Sequence, residues 1–328
     1  MLSFTRKLGR SGIVISPLGM GCWAIGGPFW DGETPLGWGQ VDDEESVRAI
    51  QRALELGVTF FDTANVYGAG HSERVLARAL KGKRQQVVIA TKFNAVFDET
   101  TCQVTGSDST PDGIRKACEN SLLRLNTEYI DLYQFHDNGF PAEKAVPVRE
   151  TLEALVKDGK IRAYGWSTDF PDRAEVFAQG PKCASIQLQL NVLDDNPAVV
   201  ALCEKYDLAA INRGPLAMGL LTGKYSASTQ TGVDDVRGEK SPEWMKYFKG
   251  GRPSPEFLAK RDAIREVLTS GGRTLAQGAL AWLWGRSEKT VPIPGFRTVK
   301  QVEENSAAMQ FGPLKMEQMA EISKILGR

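Results

Sequence analysis

Three apolar runs of this chain end in side chains that can move protons. In "TFFDTANVYGAGHSERVLARAL", residues 59–80, the run stops at Asp62, and Tyr67 follows in a Gly-rich turn. "VVIATK" ends in Lys92, and "YIDLYQFH" ends in His136. Each residue alone has a plain role: a turn-capping carboxylate, a packed ring, a solvated ammonium and a hydrogen-bonded imidazole. Together they make a proton-donating set. A phenol has an ordinary pKa of about 10, and an adjacent ammonium such as Lys92 favours the phenolate and lowers it. A lysine beside a low-dielectric pocket needs a carboxylate to stay charged, which Asp62 can supply. His136 can donate or relay a hydrogen bond to the same oxygen. Such a site would give a proton to a carbonyl oxygen turning into an alkoxide. The hydride has no side-chain source, so a nicotinamide cofactor is implied.

The elements must bring those four ends into one mouth. "LGMGCWA", "TFFDTA", "VVIATK", "YIDLYQFH", "IRAYGWS", "SIQLQL", "LAAINRG" and "TVPIPG" are short apolar runs of the kind that form buried parallel strands. The segments between them read as helices. "DDEESVRAIQRALELG" has Asp43 as cap, Val47, Ile50 and Leu54 as stripe and Gly57 as stop; "HSERVLARALKG" has Ser72 as cap. "TPDGIRKACENSLLRL" opens on Thr110 with Pro111 at the first helical position, and "RETLEALVKDG" stops at Gly159. Eight strand–helix units in 328 residues predict a (β/α)8 TIM barrel, with a doubly wound open sheet as the alternative. "FTRKLGRSGIVIS" predicts an N-terminal hairpin plugging the floor, and "KMEQMAEISKIL" an extra C-terminal surface helix. Residues 222–255 form a long irregular loop, and no domain boundary interrupts residues 1–328.

Composition excludes several classes. Forty basic residues balance forty acidic ones, so no net charge draws the chain to nucleic acid or anionic membrane. No apolar run reaches the about 18 residues of a transmembrane helix, and "MLSFTRKLGRSG" lacks the apolar core of a signal peptide. Five scattered cysteines favour reduced thiols and a cytoplasmic setting. Two histidines, His71 and His136, exclude a three-histidine metal site.

"DTANVYGAGHSERVLARAL", "VVIATK", "SLLRLNTEYIDLYQFH", "GKIRAYGWS", "PLAMGLLTGKY" and "IPGFRTVKQVEEN" together resemble the aldo-keto reductases, in order and along nearly the whole chain. The resemblance implies a barrel that binds extended NADPH at its mouth and reversibly reduces aldehydes or ketones. It maps the family's tetrad onto Asp62, Tyr67, Lys92 and His136: Tyr67 as general acid, Lys92 as its activator, Asp62 as partner of Lys92, His136 as carbonyl orienter. It puts Ser167 and Gln187 at the nicotinamide carboxamide, with Gly21, Cys22, Trp23, Asp62 and Thr168 among the cofactor contacts. Gly214, Pro215, Leu216, Ala217, Gly219, Leu221, Gly223 and Lys224 would follow the pyrophosphate. Gly295, Phe296, Arg297, Gln301, Glu304 and Asn305 would hold the adenosine end, with Arg297 facing the 2′-phosphate.

Three positions depart from the family pattern: Thr168 replaces a common Asn, Arg213 replaces an aromatic that stacks on the nicotinamide, and Asp137-Asn138 follows His136. Arg213 can still stack through its planar guanidinium, and Asp137 disfavours anionic substrates. "GMGCWA" matches a dinucleotide fingerprint but runs into "IGGPFW", which cannot open a helix, so it is read as the first strand and its loop. Trp23, Phe29 and Trp30, with Tyr67 and His136, are expected to line the substrate pocket. Two other readings stand beside the reductase: a nucleotide-binding, redox-sensing regulatory subunit, and a Schiff-base aldolase using Lys92. The partner expected is a small carbonyl compound; the oligomeric state is not legible.

Overall fold

The computed structural model describes residues 4–328. The first three residues of the segment read for a signal peptide lie outside the described residues. Eight strands form one parallel sheet: β1 (Gly19–Gly21), β2 (Phe60–Asp62), β3 (Val88–Phe93), β4 (Ile130–Phe135), β5 (Ile161–Ser167), β6 (Cys183–Gln189), β7 (Ala209–Arg213) and β8 (Thr290–Pro292). Neighbours in the sheet are neighbours in sequence. The sheet closes where Gly21 bridges Gly295 in parallel and its N–H donates to the Pro294 carbonyl at 3.0 Å. It is therefore a barrel and not the open-sheet alternative.

The interior is packed by Phe60, Val88, Ala90, Leu132, Ala163, Ala184, Ala209, Ile211 and Val291. Leu8, Ile13 and Ile15 join the same cluster from the N-terminal hairpin, whose strands Arg6–Lys7 and Val14–Ile15 pair antiparallel. The hairpin thus plugs the floor, as the sequence predicts.

Around the barrel run α1 (Asp43–Glu55), α2 (His71–Ala79), α3 (Pro111–Leu125), α4 (Val146–Lys157), α5 (Pro171–Ala178), α6 (Pro197–Lys205), α7 (Pro255–Ala263), α8 (Arg265–Thr269), α9 (Leu275–Arg286), α10 (Val299–Ala307) and α11 (Met316–Ile325). Thr110 caps α3 as expected, its hydroxyl accepting from the Gly113 N–H. Two caps differ. Asp42, not Asp43, accepts from the Glu45 N–H at the start of α1, and the buried stripe becomes Ser46, Ala49, Ile50 and Ala53. Either aspartate satisfies local cap chemistry, and packing of the stripe decides between them. At α2 the cap is Gly70 at φ +89, while Ser72 sits inside the first turn, its hydroxyl donating to the Cys22 carbonyl.

An accessory four-stranded sheet was not anticipated. It joins Trp30–Asp31 and Thr34–Pro35, from the loop after β1, to Ala95–Asp98 and Gln103–Ser107, from the loop after β3. The 222–255 segment is folded over the chain rather than free: Val236, Met245, Tyr247 and Phe248 are buried in the core. No helix among the described residues is long and apolar enough to cross a membrane.

Candidate active site

Strand alternation and register deliver the four proton-handling residues. Asp62 ends β2, and Lys92 lies one residue before the end of β3 with Gln134 of β4 directly beside it. His136 follows β4, its N–H donating to the Phe93 carbonyl at 3.0 Å. Tyr67 reaches back from the turn after β2. The Lys92 ammonium is fully buried and donates to Asp62 Oδ1 at 2.5 Å, to the Thr63 carbonyl at 2.8 Å and to Tyr67 Oη at 3.3 Å. Asp62 Oδ2 accepts from Gln134 Nε2 at 2.9 Å and Gln187 Nε2 at 2.8 Å. The buried carboxylate therefore has an ammonium on one oxygen and two amides on the other, as a buried charge requires.

Electrostatics assigns protonation. Burial opposes the Lys92 charge, but the Asp62 carboxylate and Tyr67 outweigh it, and the ammonium is held above its ordinary pKa. That disfavours the free amine a Schiff-base aldolase needs. Burial raises the Tyr67 phenol above its ordinary value; Lys92 pulls it down without cancelling the rise. The expected net lowering by Lys92 is thus reversed in the free protein, because desolvation of the phenolate is the larger effect. His136 is pushed down to about 3 by burial, then by Lys92 and Arg213, so its imidazole is neutral. Its ring meets Tyr67 edge-on with centroids 6.0 Å apart.

Rings surround Tyr67. Trp23 stacks on it at 5.8 Å and Phe29 tilts against it at 6.5 Å. Trp38 and Trp244 pack on Trp23 at 5.3 Å and 6.3 Å. Trp244 comes from the 222–255 segment and is 57% exposed. Trp30 does not join this group: it pairs with Pro35 in the accessory sheet, one residue on from buried Phe29, and alternation turns it to the other face. Sequence reading missed Trp38 and Trp244, whose approach is purely tertiary.

The expected cofactor contacts fall into three groups. In the group expected at the nicotinamide, Ser167, Thr168 and Gln187 are buried, and the Gln187 amide nitrogen already serves Asp62 and Gln134 Oε1 (3.2 Å), leaving its carbonyl as the group to offer. Arg213 is held by Asp169 and, at 3.2 Å, by Gln189 Oε1. Cys22 is fully buried in the outer core with its thiol pushed above the ordinary range by burial, so its side chain is not free to meet a cofactor. In the second group, Gly214, Ala217, Met218 and Gly219 have φ of +60°, +48°, +55° and +91°. Three consecutive left-handed residues, two of them not glycine, are strained, and such backbone concavities bind anions. Pro215, Leu216 and Leu221 are buried beside them, whereas Gly223 and Lys224 are exposed.

The third group starts α10. Thr298 caps it, and Val299 N–H donates to Glu45 Oε1 at 2.8 Å. The Arg297 guanidinium donates to the Trp38 carbonyl at 3.0 Å and to the Gln40 carbonyl, and the Arg297 backbone N–H donates to Gln301 Oε1 at 2.7 Å. Gly295 is exposed, Glu304 half-buried, and Asn305 donates to the Gly295 carbonyl at 3.5 Å, while the Phe296 ring lies in the core. A strained concavity and an arginine with exchangeable carbonyl partners fit a phosphate-bearing dinucleotide. A cavity of about 390 Å³ behind the Tyr67 turn, bounded by Gly26, Gly68, His71 and Cys102, is lined by none of the four proton-handling residues.

Residues 17–326 match the model of the aldo/keto reductase family. The chain belongs to that family. It is an oxidoreductase, 32% identical over 329 residues to aldo-keto reductase YhdN of Bacillus subtilis, covering 98% of this chain and 92% of YhdN. The aldo-keto reductase yakc of Schizosaccharomyces pombe, designated for NADP(+), is 29% identical over 93% of this chain and 86% of its own. Among solved structures, glycerol dehydrogenase AKR11B4 of Gluconobacter oxydans superposes with a TM-score of 0.82 at 33% identity, covering 100% of this chain and 96% of that one.

Proposed function

We propose that residues 1–328 work as one barrel domain that reduces small aldehydes or ketones with NADPH, Tyr67 giving the proton. The observation that carries this reading is the Tyr67 hydroxyl 3.3 Å from the buried Lys92 ammonium, itself paired with Asp62 at 2.5 Å. Bound NADPH supplies the hydride to the carbonyl carbon. Tyr67, neutral in the free protein, hydrogen-bonds the carbonyl oxygen and transfers its proton as negative charge develops there. Lys92 stabilises the phenolate left behind, and Asp62 keeps Lys92 charged in a buried site. Neutral His136 holds the carbonyl by a hydrogen bond without competing as an acid. One carbonyl, one NADPH and one solvent proton yield one alcohol and one NADP⁺.

Arg297 is the candidate reader of the 2′-phosphate, exchanging its carbonyl partners for charge-assisted hydrogen bonds. A panel of neutral carbonyl compounds, followed by NADPH absorbance, tests the reading. Turnover of simple aldehydes supports it and counts against a purely regulatory subunit; no turnover of any compound overturns it. Titrating NADPH and NADH against wild type and Arg297→Ala by protein fluorescence tests the cofactor assignment. A loss of roughly 1.5–3 kcal/mol is expected for NADPH, with little change for NADH. Equal losses for both would show that Arg297 does not read the phosphate.

A further inference from the structure

The backbone at Tyr67 is held loosely by its own turn. Between β2 and α2 its N–H donates to the Ala64 carbonyl at 3.3 Å, and its carbonyl accepts from the Ser72 N–H at 3.2 Å, both at the long end of the usual range. The next three residues, Gly68, Ala69 and Gly70, have φ of +59°, +51° and +89°. Three left-handed residues in a row persist only where their surroundings hold them. The same turn puts the phenol oxygen 3.3 Å from the buried Lys92 ammonium. Whatever holds the turn therefore also sets that distance.

The loop after β1 supplies the hold. Gly26 is buried there and packs backbone to backbone on the turn. A Cβ built on Gly26 would lie 2.9 Å from the Tyr67 carbonyl carbon and 3.1 Å from both the Tyr67 Cβ and the Gly68 nitrogen. A Cβ on Gly68 would overlap the Gly26 carbonyl. The contact exists because neither residue carries a side chain. Trp23, whose carbonyl accepts from the Gly26 N–H at 3.1 Å, stacks its ring on Tyr67. The Ser72 hydroxyl ties the start of α2 to the Cys22 carbonyl at 2.8 Å. The loop is backed in turn by the 222–255 segment. A Cβ on Gly37 would overlap the Gly27 carbonyl, and the Val236 N–H donates to the Gly37 carbonyl at 2.7 Å. Tyr67 thus rests on stacked layers of backbone. Gly26 differs from Gly68 in that its φ lies outside the left-handed region, so its own backbone accepts alanine. Both glycines border the cavity of about 390 Å³, which gives the two segments room to part.

We infer that Gly26 is a positioning residue for proton transfer: its bare backbone sets where Tyr67 stands relative to Lys92. The inference rests on Tyr67 as the proton donor and is separable from that reading by experiment. Gly26→Ala has to move the turn by roughly 0.5 Å to reach an ordinary carbon–carbon contact. Turnover of a simple aldehyde is measured, with kcat counted per NADPH-binding site titrated by protein fluorescence, so that unfolded protein does not enter. In Gly26→Ala this kcat should fall about 10- to 100-fold, the scale of a sub-ångström to 1 Å misplacement of a reacting group, while NADPH affinity stays close to wild type. The loss should run through the phenol. Added to Tyr67→Phe, Gly26→Ala should cost nothing further, because groups acting as one unit are not additive; a residue that only supports the fold would multiply the loss. Ser72→Ala adds no bulk and loosens the same junction. It should lower kcat about 2- to 10-fold, the worth of one hydrogen bond, with the same dependence on Tyr67, and it decides the matter if Gly26→Ala does not fold. Near wild-type kcat in folded Gly26→Ala would overturn the inference and leave the role of Tyr67 standing, as would a further loss in the Tyr67→Phe background. If Gly26→Ala yields no folded protein, unchanged kcat in Ser72→Ala would overturn it. Full turnover by Tyr67→Phe would overturn the reading of Tyr67 and the inference with it.

Discussion

The Tyr67 hydroxyl has one strong polar neighbour, the Lys92 ammonium, and that neighbour is locked to Asp62. Tyr67→Phe should lower kcat roughly 10²- to 10⁴-fold, the usual effect of losing a positioned acid, while NADPH affinity stays close to wild type. Near wild-type turnover by this variant would remove Tyr67 from its role. Lys92→Met should be about as damaging, and the double variant no worse than either single one, because groups acting as a unit are not additive. Multiplied losses would give Lys92 a separate task. The pH profile follows from the same environment. His136 titrates at about 3, so kcat/KM should show no limb near pH 6.5. Tyr67 is raised, so the alkaline limb of the free enzyme should lie above its ordinary value. Stability carries a matching sign. The unfolded chain protonates His136 near its ordinary value of about 6.5, whereas the folded chain resists until about 3. The unfolded state then binds more protons, so stability contributed by the neutral imidazole is complete above that ordinary value and declines as pH falls toward the folded one. Urea unfolding at stepped pH, wild type against His136→Asn, reads this directly; identical slopes would remove His136 as the source.

At the scale of elements, the 222–255 segment is tied down by a buried pair. Arg237 forks onto Asp235 at 2.8 Å and 2.6 Å, donates to the Met218 carbonyl at 3.1 Å and stands 4.4 Å over the Trp38 ring. It joins the strained turn at Ala217–Gly219 to the loop after β1. Arg237→Ala should destabilise the fold by about 3–5 kcal/mol because it strands Asp235, whereas Asp235→Leu with Arg237→Met should cost clearly less; denaturant midpoints test both. Equal costs would mean that packing, not charge, holds the segment. None of this was legible beforehand: Asp235 is only two residues from Arg237 and both read locally as polar loop residues, while Met218 and Trp38, which show that the pair is buried, lie far away in sequence. The same holds for Trp244 and for the accessory sheet, whose strands become recognisable only when paired. The eight barrel strands were legible because each is a buried apolar run closed by turn residues. The gathering of Asp62, Lys92 and His136 was legible for a related reason: side-chain direction in a strand has a period of two, so a polar residue ending a buried run can only point into the mouth or the helix layer. Partners that depend on tertiary closeness, such as the carbonyls on Arg297 and the amides on Asp62, leave no such mark.

For the whole molecule, the floor is as demanding as the mouth. Gly9 has a φ of +47°, and a Cβ there would sit 2.3 Å from the Ala184 carbonyl. Gly9→Ala should therefore lower stability by roughly 1–3 kcal/mol through overpacking and backbone strain, seen as a lower thermal midpoint with unchanged kcat in the surviving folded fraction. An unchanged midpoint would mean that the hairpin is not seated against β6. The seam between Gly21 and Gly295 has a consequence in time. β1 leaves the ribosome before every other barrel strand, and the strand that completes it spans Thr290–Pro292. At ~5–20 residues per second, the nascent chain carries one uncompleted strand edge for on the order of 10–60 s. Until that last strand arrives, β1 exposes unpaired backbone that any other extended chain can capture. Chains stalled before β8 should accordingly be held by chaperones or aggregate, because the closing hydrogen bonds of the barrel are encoded near its C-terminal end.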